Sequence, residues 1–363
     1  MKQKKTKCPK CHNILTISGN PGETIKITCP SCGTSGKVTF EKDEGSRSQK
    51  NMVVLKELTK RYKQLLALDN VSIEIKEGEI FGYIGPNGAG KTTTIKIMVD
   101  LIKKTSGETF IDGYPMPEQK EEVHKLIGYL PQQVAFQQWR TVNQALTTFG
   151  KLSGMNPQEI ERNIVELLDL LKLSDVRYKK IVELSGGMIQ KLGLVQALLH
   201  KPKLLILDEP LSGLDPESRY QVKQILKDMS KQGTTVFFSS HILSDVQDIA
   251  TKIGILNWGH IVTIGTMEEL KEKLIKENKV EIVLSKNSGK WTKLRSQSGI
   301  KKIKEIAPDK LLVHFESKDK SGKIIHQLIE GLLSNDCHIR SITPVVPNLD
   351  EVYQQYLNGG GNT

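Results

Sequence analysis

The stretch Gly85-Pro86-Asn87-Gly88-Ala89-Gly90-Lys91-Thr92-Thr93 decides how this chain is read, because it is a complete phosphate-binding loop set between a strand pattern and a helix pattern. Gly85 and Gly90 free the backbone to curl, so that successive N–H groups turn inward toward phosphate oxygens. A helix opening near Lys91 adds the positive end of its dipole. Lys91 would reach the β and γ phosphates of a nucleotide and the Thr92 hydroxyl would ligate Mg²⁺, with Asn87, Gly88 and Thr93 completing the cradle. Upstream, Ile73, Ile75 and Ile80-Phe81-Gly82-Tyr83-Ile84 read as strand, and Thr94-Ile95-Lys96-Ile97-Met98 reads as the helix that must follow.

Around this loop an α/β region is expected over 52–276. Strand-like runs at Val53-Val54-Leu55, Ile80 to Ile84, Leu204 to Leu207, Thr235 to Phe238 and Ile253 to Leu256 alternate with helical stretches, the signature of a largely parallel sheet. The part over about 138–199 lacks strand runs. There Ile160, Ile164, Leu167, Leu168 and Leu171 recur at helical spacing behind the start signal Asn156-Pro157, which predicts a helical subdomain inserted into the core. After Glu277 two strands (Val280 to Leu284, Lys310 to Phe315), a helix (Ile324 to Leu333), a strand (Ile339 to Val345) and an amphipathic end (Leu349 to Leu357) predict a small α+β domain over 277–363.

A phosphate loop alone fits many nucleotide-binding classes, so the other motifs must decide. Leu204-Leu205-Ile206-Leu207-Asp208-Glu209-Pro210 is an apolar strand ending in two acids. Asp208 would hold the Mg²⁺ shell through water, and Glu209, one residue on, would lie where an attacking water sits and serve as general base or water positioner. Between loop and strand, Leu184-Ser185-Gly186-Gly187-Met188-Ile189-Gln190-Lys191 is a second glycine-bearing turn opening a helix, hence a second anion cradle. Ser239-Ser240-His241 closes the series after another strand.

In this order and spacing the motifs resemble those of the nucleotide-binding subunit of an ATP-binding cassette (ABC) transporter, over roughly Val53 to Ile264. The resemblance implies an α/β P-loop NTPase cassette and a set of roles. Tyr62 would stack on adenine, Gln132 in Gly128-Tyr129-Leu130-Pro131-Gln132 would contact Mg²⁺ and the attacking water, Ser212-Gly213-Leu214-Asp215 would line the subunit boundary, and His241 would hold the γ phosphate beside Glu209. It also implies that Ser185 and Gly187 of one subunit cover ATP held by Lys91 of another, so that a second copy or a sister subunit is required. The Leu-Ser-Gly-Gly-Met form, the Gly-Tyr-Leu-Pro segment and the ending Thr343-Pro344 with Pro347-Asn348-Leu349-Asp350-Glu351-Val352-Tyr353 look like the drug- and polysaccharide-exporter branch, including daunorubicin-resistance-type pumps. That branch pairs with a separate integral membrane permease, near which the residues around Phe136 to Gln144 would lie.

The first 40 residues form a different module. Cys8-Pro-Lys-Cys11 and Cys29-Pro-Ser-Cys32, with seventeen residues between the pairs, have the spacing of a zinc ribbon. Four thiolates close a tetrahedron and leave no open position, so the expected metal is structural Zn²⁺, with rubredoxin-like iron as the rival. His12 is read as a solvated neighbour and Cys337 as a buried apolar residue. Residues 41–51 read as a linker.

With 363 residues, 37% hydrophobic and 26% charged, the composition is that of a globular protein, and no window approaches the ~20 apolar residues of a membrane span. The Lys-rich start lacks a signal-peptide pattern, and paired cysteines suit a reducing compartment, so a cytoplasmic protein lying peripherally on the inner face of the cell membrane is expected. Four thiolates with one Zn²⁺ would bring the net charge from +11 to about +9, still basic. That charge suits an anionic membrane face or nucleic acid, which keeps one alternative open: a soluble cassette ATPase acting on nucleic acid or the ribosome through its ribbon. Nucleic acid is not the expected partner, because the chain has neither a second cassette nor a long coiled coil before the Ser-Gly-Gly turn. A binding-only pseudoenzyme is disfavoured by the presence of Lys91, Asp208, Glu209 and His241 together.

Overall fold

The computed structural model describes residues 2–7, 10–11, 14–19, 24–39, 50–274, 278–296, 299–315, 321–345 and 353–354. Two units separate along the chain, Met1–Lys50 and Asn51–Thr363. In the first, β1 (Lys2–Lys7) pairs antiparallel with β2 (Ile14–Gly19), and β3 (Thr24–Thr28) with β4 (Ser35–Thr39). The turn after β3 is closed by Gly33 N donating to Cys29 O at 2.9 Å and Cys29 N donating to Thr34 O at 2.9 Å. Gly33 takes a φ of +70° there, a conformation that costs a glycine little. Most of the expected linker, and the amphipathic end save Tyr353 and Gln354, lie outside the described residues.

The second unit is built on two sheets. β5 (Asn51–Tyr62), β6 (Leu65–Lys76), β8 (Ser106–Ile111) and β9 (Tyr114–Pro115) form an antiparallel sheet in the order β6-β5-β8-β9. The expectation that Val53-Val54-Leu55 belongs to the parallel sheet is therefore corrected. Its physical cause is that β5 and β6 each bury one face only, alternating as Ile73 and Ile75 do with Glu74 and Lys76, the pattern of an antiparallel ribbon lying over a core.

The central sheet takes the order β10 (Ile127–Leu130), β11 (Leu204–Asp208), β12 (Thr235–Ser240), β7 (Ile80–Ile84), β13 (Lys252–Asn257), β14 (His260–Gly265). All its pairings are parallel except β13 with β14. Strands β7, β11 and β12 are buried at every residue, as parallel strands covered on both faces must be. Side chains nevertheless alternate: Ile80, Ile84, Leu205, Leu207 and Phe238 enter one core, while Phe81, Tyr83, Leu204, Ile206 and Phe237 enter the other beneath the antiparallel sheet.

The inserted segment supplies α3 (Val142–Leu152), α4 (Pro157–Leu170) and α5 (Gly186–Leu198). Asn156 caps α4 by accepting from Glu159 N at 2.8 Å, with Pro157 at the first helical position. Ile160, Ile164, Leu168 and Leu171 are buried in the same core as Leu146 and Leu207. The remaining cassette helices are α1 (Lys91–Met98), α2 (Lys120–Leu126), α6 (Pro216–Lys231), α7 (Leu243–Ile249) and α8 (Met267–Leu274). Asp245 of α7, only 2% exposed, is held by Arg219 and by Lys223 of α6, the latter at 2.7 Å.

Beyond α8, β16 (Ile300–Ala307), β17 (Lys310–Phe315), β15 (Asn278–Lys286) and β18 (His338–Pro344) form an antiparallel sheet in that order, and α9 (Ser321–Ser334) shares its core through Leu328 and Leu332. Cys337 is fully buried there, with Ser288 Oγ 3.2 Å from its sulfur.

Candidate functional site

Register is what assembles the site. Asp208 pairs with Ser239 and Ser240 pairs with Ile84, so β11, β12 and β7 end side by side and the segments leaving them emerge on one edge. In open α/β sheets this carboxyl edge is where ligands bind. Gly85 follows directly, and a Cβ there would come within 2.3 Å of the Leu256 carbonyl oxygen, so only glycine lets the loop leave β7 at this angle. Gly90, at φ +113°, is equally confined: its Cβ would meet Ala67 O at 2.7 Å.

The loop opens into a cleft of about 370 Å³. Its floor carries Asn87, Gly88, Gly90, Lys91, Thr92 and Thr93, and Gln132 and Glu209 line it from the ends of neighbouring strands. Tyr62 lines the same cleft from the end of β5. Nine of the residues named from sequence thus converge. Lys91 is almost wholly buried, and its ammonium donates to Gly85 O at 2.8 Å and Pro86 O at 3.2 Å. Burial pulls its pKa down, while the carboxylates of Glu209 and Asp208 act in the opposite sense.

Behind the cleft sits Asp208. Its Oδ1 accepts from Ser239 Oγ at 2.6 Å, and its buried Oδ2 has no hydrogen-bond partner among the described residues. A buried carboxylate oxygen without a donor suits a hydrated cation, which is the Mg²⁺ fit that the donor set allows. Ser239 Oγ also accepts from Glu209 N at 3.0 Å, so one hydroxyl fixes both acids. Glu209 holds a φ of +53°, uncommon for a residue with a side chain and costing on the order of 1 kcal/mol. Its Oε2 lies 2.7 Å from His241 Nδ1.

Sequence reading missed two supports. Gln190 of α5 donates from Nε2 to Glu209 O and Pro210 O, both at 3.3 Å, tying the Ser-Gly-Gly helix to the strained turn. Trp258 and Gly259 also line the cleft, from the hairpin between β13 and β14. A glutamine three residues past a glycine pair carries no signal of its own, since its partners are main-chain carbonyls nineteen and twenty residues away. Ser185 and Gly187, by contrast, do not line the cleft of their own chain; Ser185 caps α5, accepting from Met188 N at 3.3 Å.

In the first unit Cys11, Cys29 and Cys32 place their sulfurs within 4.8 Å of one another, with Cys11 Sγ and Cys29 Sγ 3.5 Å apart. Cys8 and His12 fall outside the described residues. A tetrahedral Zn²⁺ with Zn–S of ≈ 2.3 Å puts its sulfurs about 3.8 Å apart, so the three described thiols fit one ion.

The family model described as ABC transporter matches residues 68–212. The linearmycin resistance ATP-binding protein LnrL of Bacillus subtilis (strain 168) is 30% identical over 317 residues, spanning 86% of this chain and 99% of LnrL. The chain belongs to the ABC transporter family. Among ABC proteins it is also similar to the bacitracin transport ATP-binding protein BcrA of Bacillus licheniformis, 32% identical over 84% of this chain and 96% of BcrA. A solved ATP-binding subunit of an ABC transporter superposes with a TM-score of 0.58 at 28% identity, covering 61% of this chain and 92% of that one. The dimeric post-hydrolysis state of the ATP-binding cassette MJ0796, bound to ADP and Pi, gives 0.56 at 28% identity, covering 60% of this chain and 99% of that one. The chain is an ABC transporter ATP-binding subunit with an ABC ATPase domain, homologous to antibiotic-resistance and antibiotic-transport ATP-binding proteins.

Removing the Ser239 hydroxyl tests the strand-end clamp. Ser239→Ala is expected to lower steady-state ATP hydrolysis roughly ten- to a hundredfold, and, because it leaves Glu209 N and Asp208 Oδ1 without their buried partner, to lower the unfolding midpoint by several degrees while the protein still folds. Unimpaired turnover would show that the acids hold their geometry without it.

Proposed function

We propose that two copies of this chain, or this chain and a sister subunit, clamp two ATP molecules and by hydrolysing them drive an integral membrane permease that exports its substrate. The observation that carries the reading is the convergence of Lys91, Gln132 and Glu209 in one cleft, with His241 paired to Glu209. Tyr62 stacks on the adenine. Lys91 and the loop N–H groups of Asn87, Gly88 and Gly90 hold the phosphates, and Thr92, Gln132 and Asp208 would hold Mg²⁺ directly or through water. Mg²⁺, when bound, offsets the negative charge that builds on the β and γ oxygens. Glu209 orients a water and takes its proton as the water oxygen bonds to the γ phosphorus; the bond to the bridging oxygen breaks, and ADP and phosphate leave. His241 fixes the Glu209 carboxylate and would contact the γ phosphate, although it does not itself line the cleft.

The position of Ser185 and Gly187 outside their own cleft supports their covering a neighbour's nucleotide. They open a thirteen-residue helix with no acidic residue in its first turn, an end suited to phosphate. Support for the permease comes from the inserted subdomain. Trp139 (67% exposed) and Tyr178 (71% exposed) lie on two segments stitched together by Ile181 N donating to Arg140 O at 2.9 Å and Val142 N donating to Lys179 O at 3.1 Å. Arg140 and Arg177 cover these rings at 5.0 and 5.1 Å, so a rigid aromatic surface with charged neighbours faces outward. Among the described residues no helix is long and apolar enough to cross a membrane, consistent with a separate spanning partner and a place on the inner membrane face. The cysteine cluster, completed by Cys8, is read as a structural Zn²⁺ site that folds the first unit.

Three measurements test this reading. Glu209→Gln is expected to cut turnover by at least about a hundredfold yet retain ATP binding and give an ATP-dependent dimer in sedimentation; normal turnover would remove Glu209 from its role. In affinity purification from membranes the chain is expected to bring down an integral protein, and the double change Trp139→Ser with Tyr178→Ser should lose it while the isolated subunit's hydrolysis stays within about twofold. Retention of the companion would move the contact elsewhere. Metal analysis of the full chain is expected to find about one zinc, lost on Cys29→Ser, and a zinc-free native protein would refute the ribbon.

A further inference from the structure

The cleft has an aromatic residue that the nucleotide motifs leave unused. Trp258 and Gly259 form the two-residue turn joining β13 to β14, bracketed by the Asn257–His260 pair. Both have positive φ, +45° and +83°, which makes this a primed hairpin turn. The first position of such a turn favours Asn, Asp or Gly, residues that tolerate left-handed backbone. A tryptophan there is strained, and its side chain is 77% exposed, so it gains little from burial within its own chain.

The turn is nevertheless fastened on both sides. Gly259 N donates to Ala89 O in the phosphate loop at 2.9 Å, and Asp69 N in β6 donates to Gly259 O at 2.9 Å. A Cβ on Gly259 would come within 3.0 Å of Ala67 O, so the backbone lies tight against the start of β6, whose Leu65, Leu66 and Ala67 also line the cleft. Trp258 is therefore held at a fixed place beside the loop. Tyr62, the other aromatic of the cleft, offers a base only one free face. Lys60 Nζ lies 4.6 Å from its ring centroid and is anchored by donating to Lys103 O at 2.6 Å.

We propose that Trp258 is a second base-contacting residue of this site, giving the nucleobase a further stacking surface besides Tyr62 and biasing the cleft toward purine over pyrimidine nucleoside triphosphates. The larger π surface of a purine gains more from an added aromatic partner, whereas the phosphates, held by the loop, gain nothing. This inference rests on the cleft being the ATP site.

The test is a set of affinities measured by calorimetry on the full chain. Ligands are ATP, GTP, UTP and inorganic tripolyphosphate; proteins are wild type, Trp258→Ala and Trp258→Phe. Trp258→Ala is expected to weaken ATP and GTP roughly five- to thirtyfold, weaken UTP less and leave tripolyphosphate unchanged, while Trp258→Phe keeps most of the affinity. ATP should also change the tryptophan emission of wild type but not that of Trp258→Phe, in which Trp139 and Trp291 remain as internal controls. An equal loss for ATP and tripolyphosphate would show that the turn acts only through the loop and would overturn the assignment, as would unaltered ATP affinity in Trp258→Ala. Failure of the wild type to bind ATP at all would overturn the ATP site itself, whereas ATP binding that ignores Trp258 removes only this inference.

Discussion

One serine hydroxyl ties the chemistry of this cassette to its sheet. Ser239 Oγ donates to the Asp208 carboxylate and accepts from the Glu209 main chain, and it can reach both because β11 and β12 run parallel with Asp208 and Ser239 in register. A slip of one residue would turn Asp208 to the opposite face of the sheet. It would also separate the strand end from the phosphate loop, which leaves β7 beside Ser240. The site thus depends on pairing among three strands, each buried on both faces, as much as on the glycine turns that leave them.

Around that fixed point other parts of the site are attached by weaker links. Gln190 reaches the strained Glu209 turn through two long hydrogen bonds to carbonyls, connecting it to the helix that Ser185 caps. The left-handed backbone at Glu209 stores a small amount of strain next to the side chain that His241 holds. Small shifts at these edges cost less than shifts within the sheet, whose strands are buried on both faces.

Much of this was legible before any coordinates. The loop from Gly85 to Thr93 announced itself because its glycines, lysine and threonines follow one another in the spacing of a phosphate cradle, and Asp208-Glu209 did so because two acids end an otherwise apolar strand. Asn156-Pro157 marked the start of α4 because cap and first-turn chemistry is local. What escaped depended on distant partners. Val53 to Leu55 looks the same in a parallel or an antiparallel sheet, and only pairing with β6 and β8 decides. Strand β10 follows α2 at Ile127 without an intervening Gly or Pro, so nothing punctuates the switch from helix to strand. Trp258 and Gln190 act through tertiary neighbours that no spacing encodes.

The buried carboxylate of Asp245 has a further consequence. It joins α6, which starts just past the Glu209 turn, to α7, which starts just past His241, through Arg219 and the largely enclosed Lys223. Ion pairs at the periphery, such as Lys172 with Glu217, stand in water and fade as ionic strength rises, but a pair withdrawn from solvent is screened far less. The two helices therefore behave as one plate whose coupling persists at ionic strengths where the outer charges of the protein no longer feel one another.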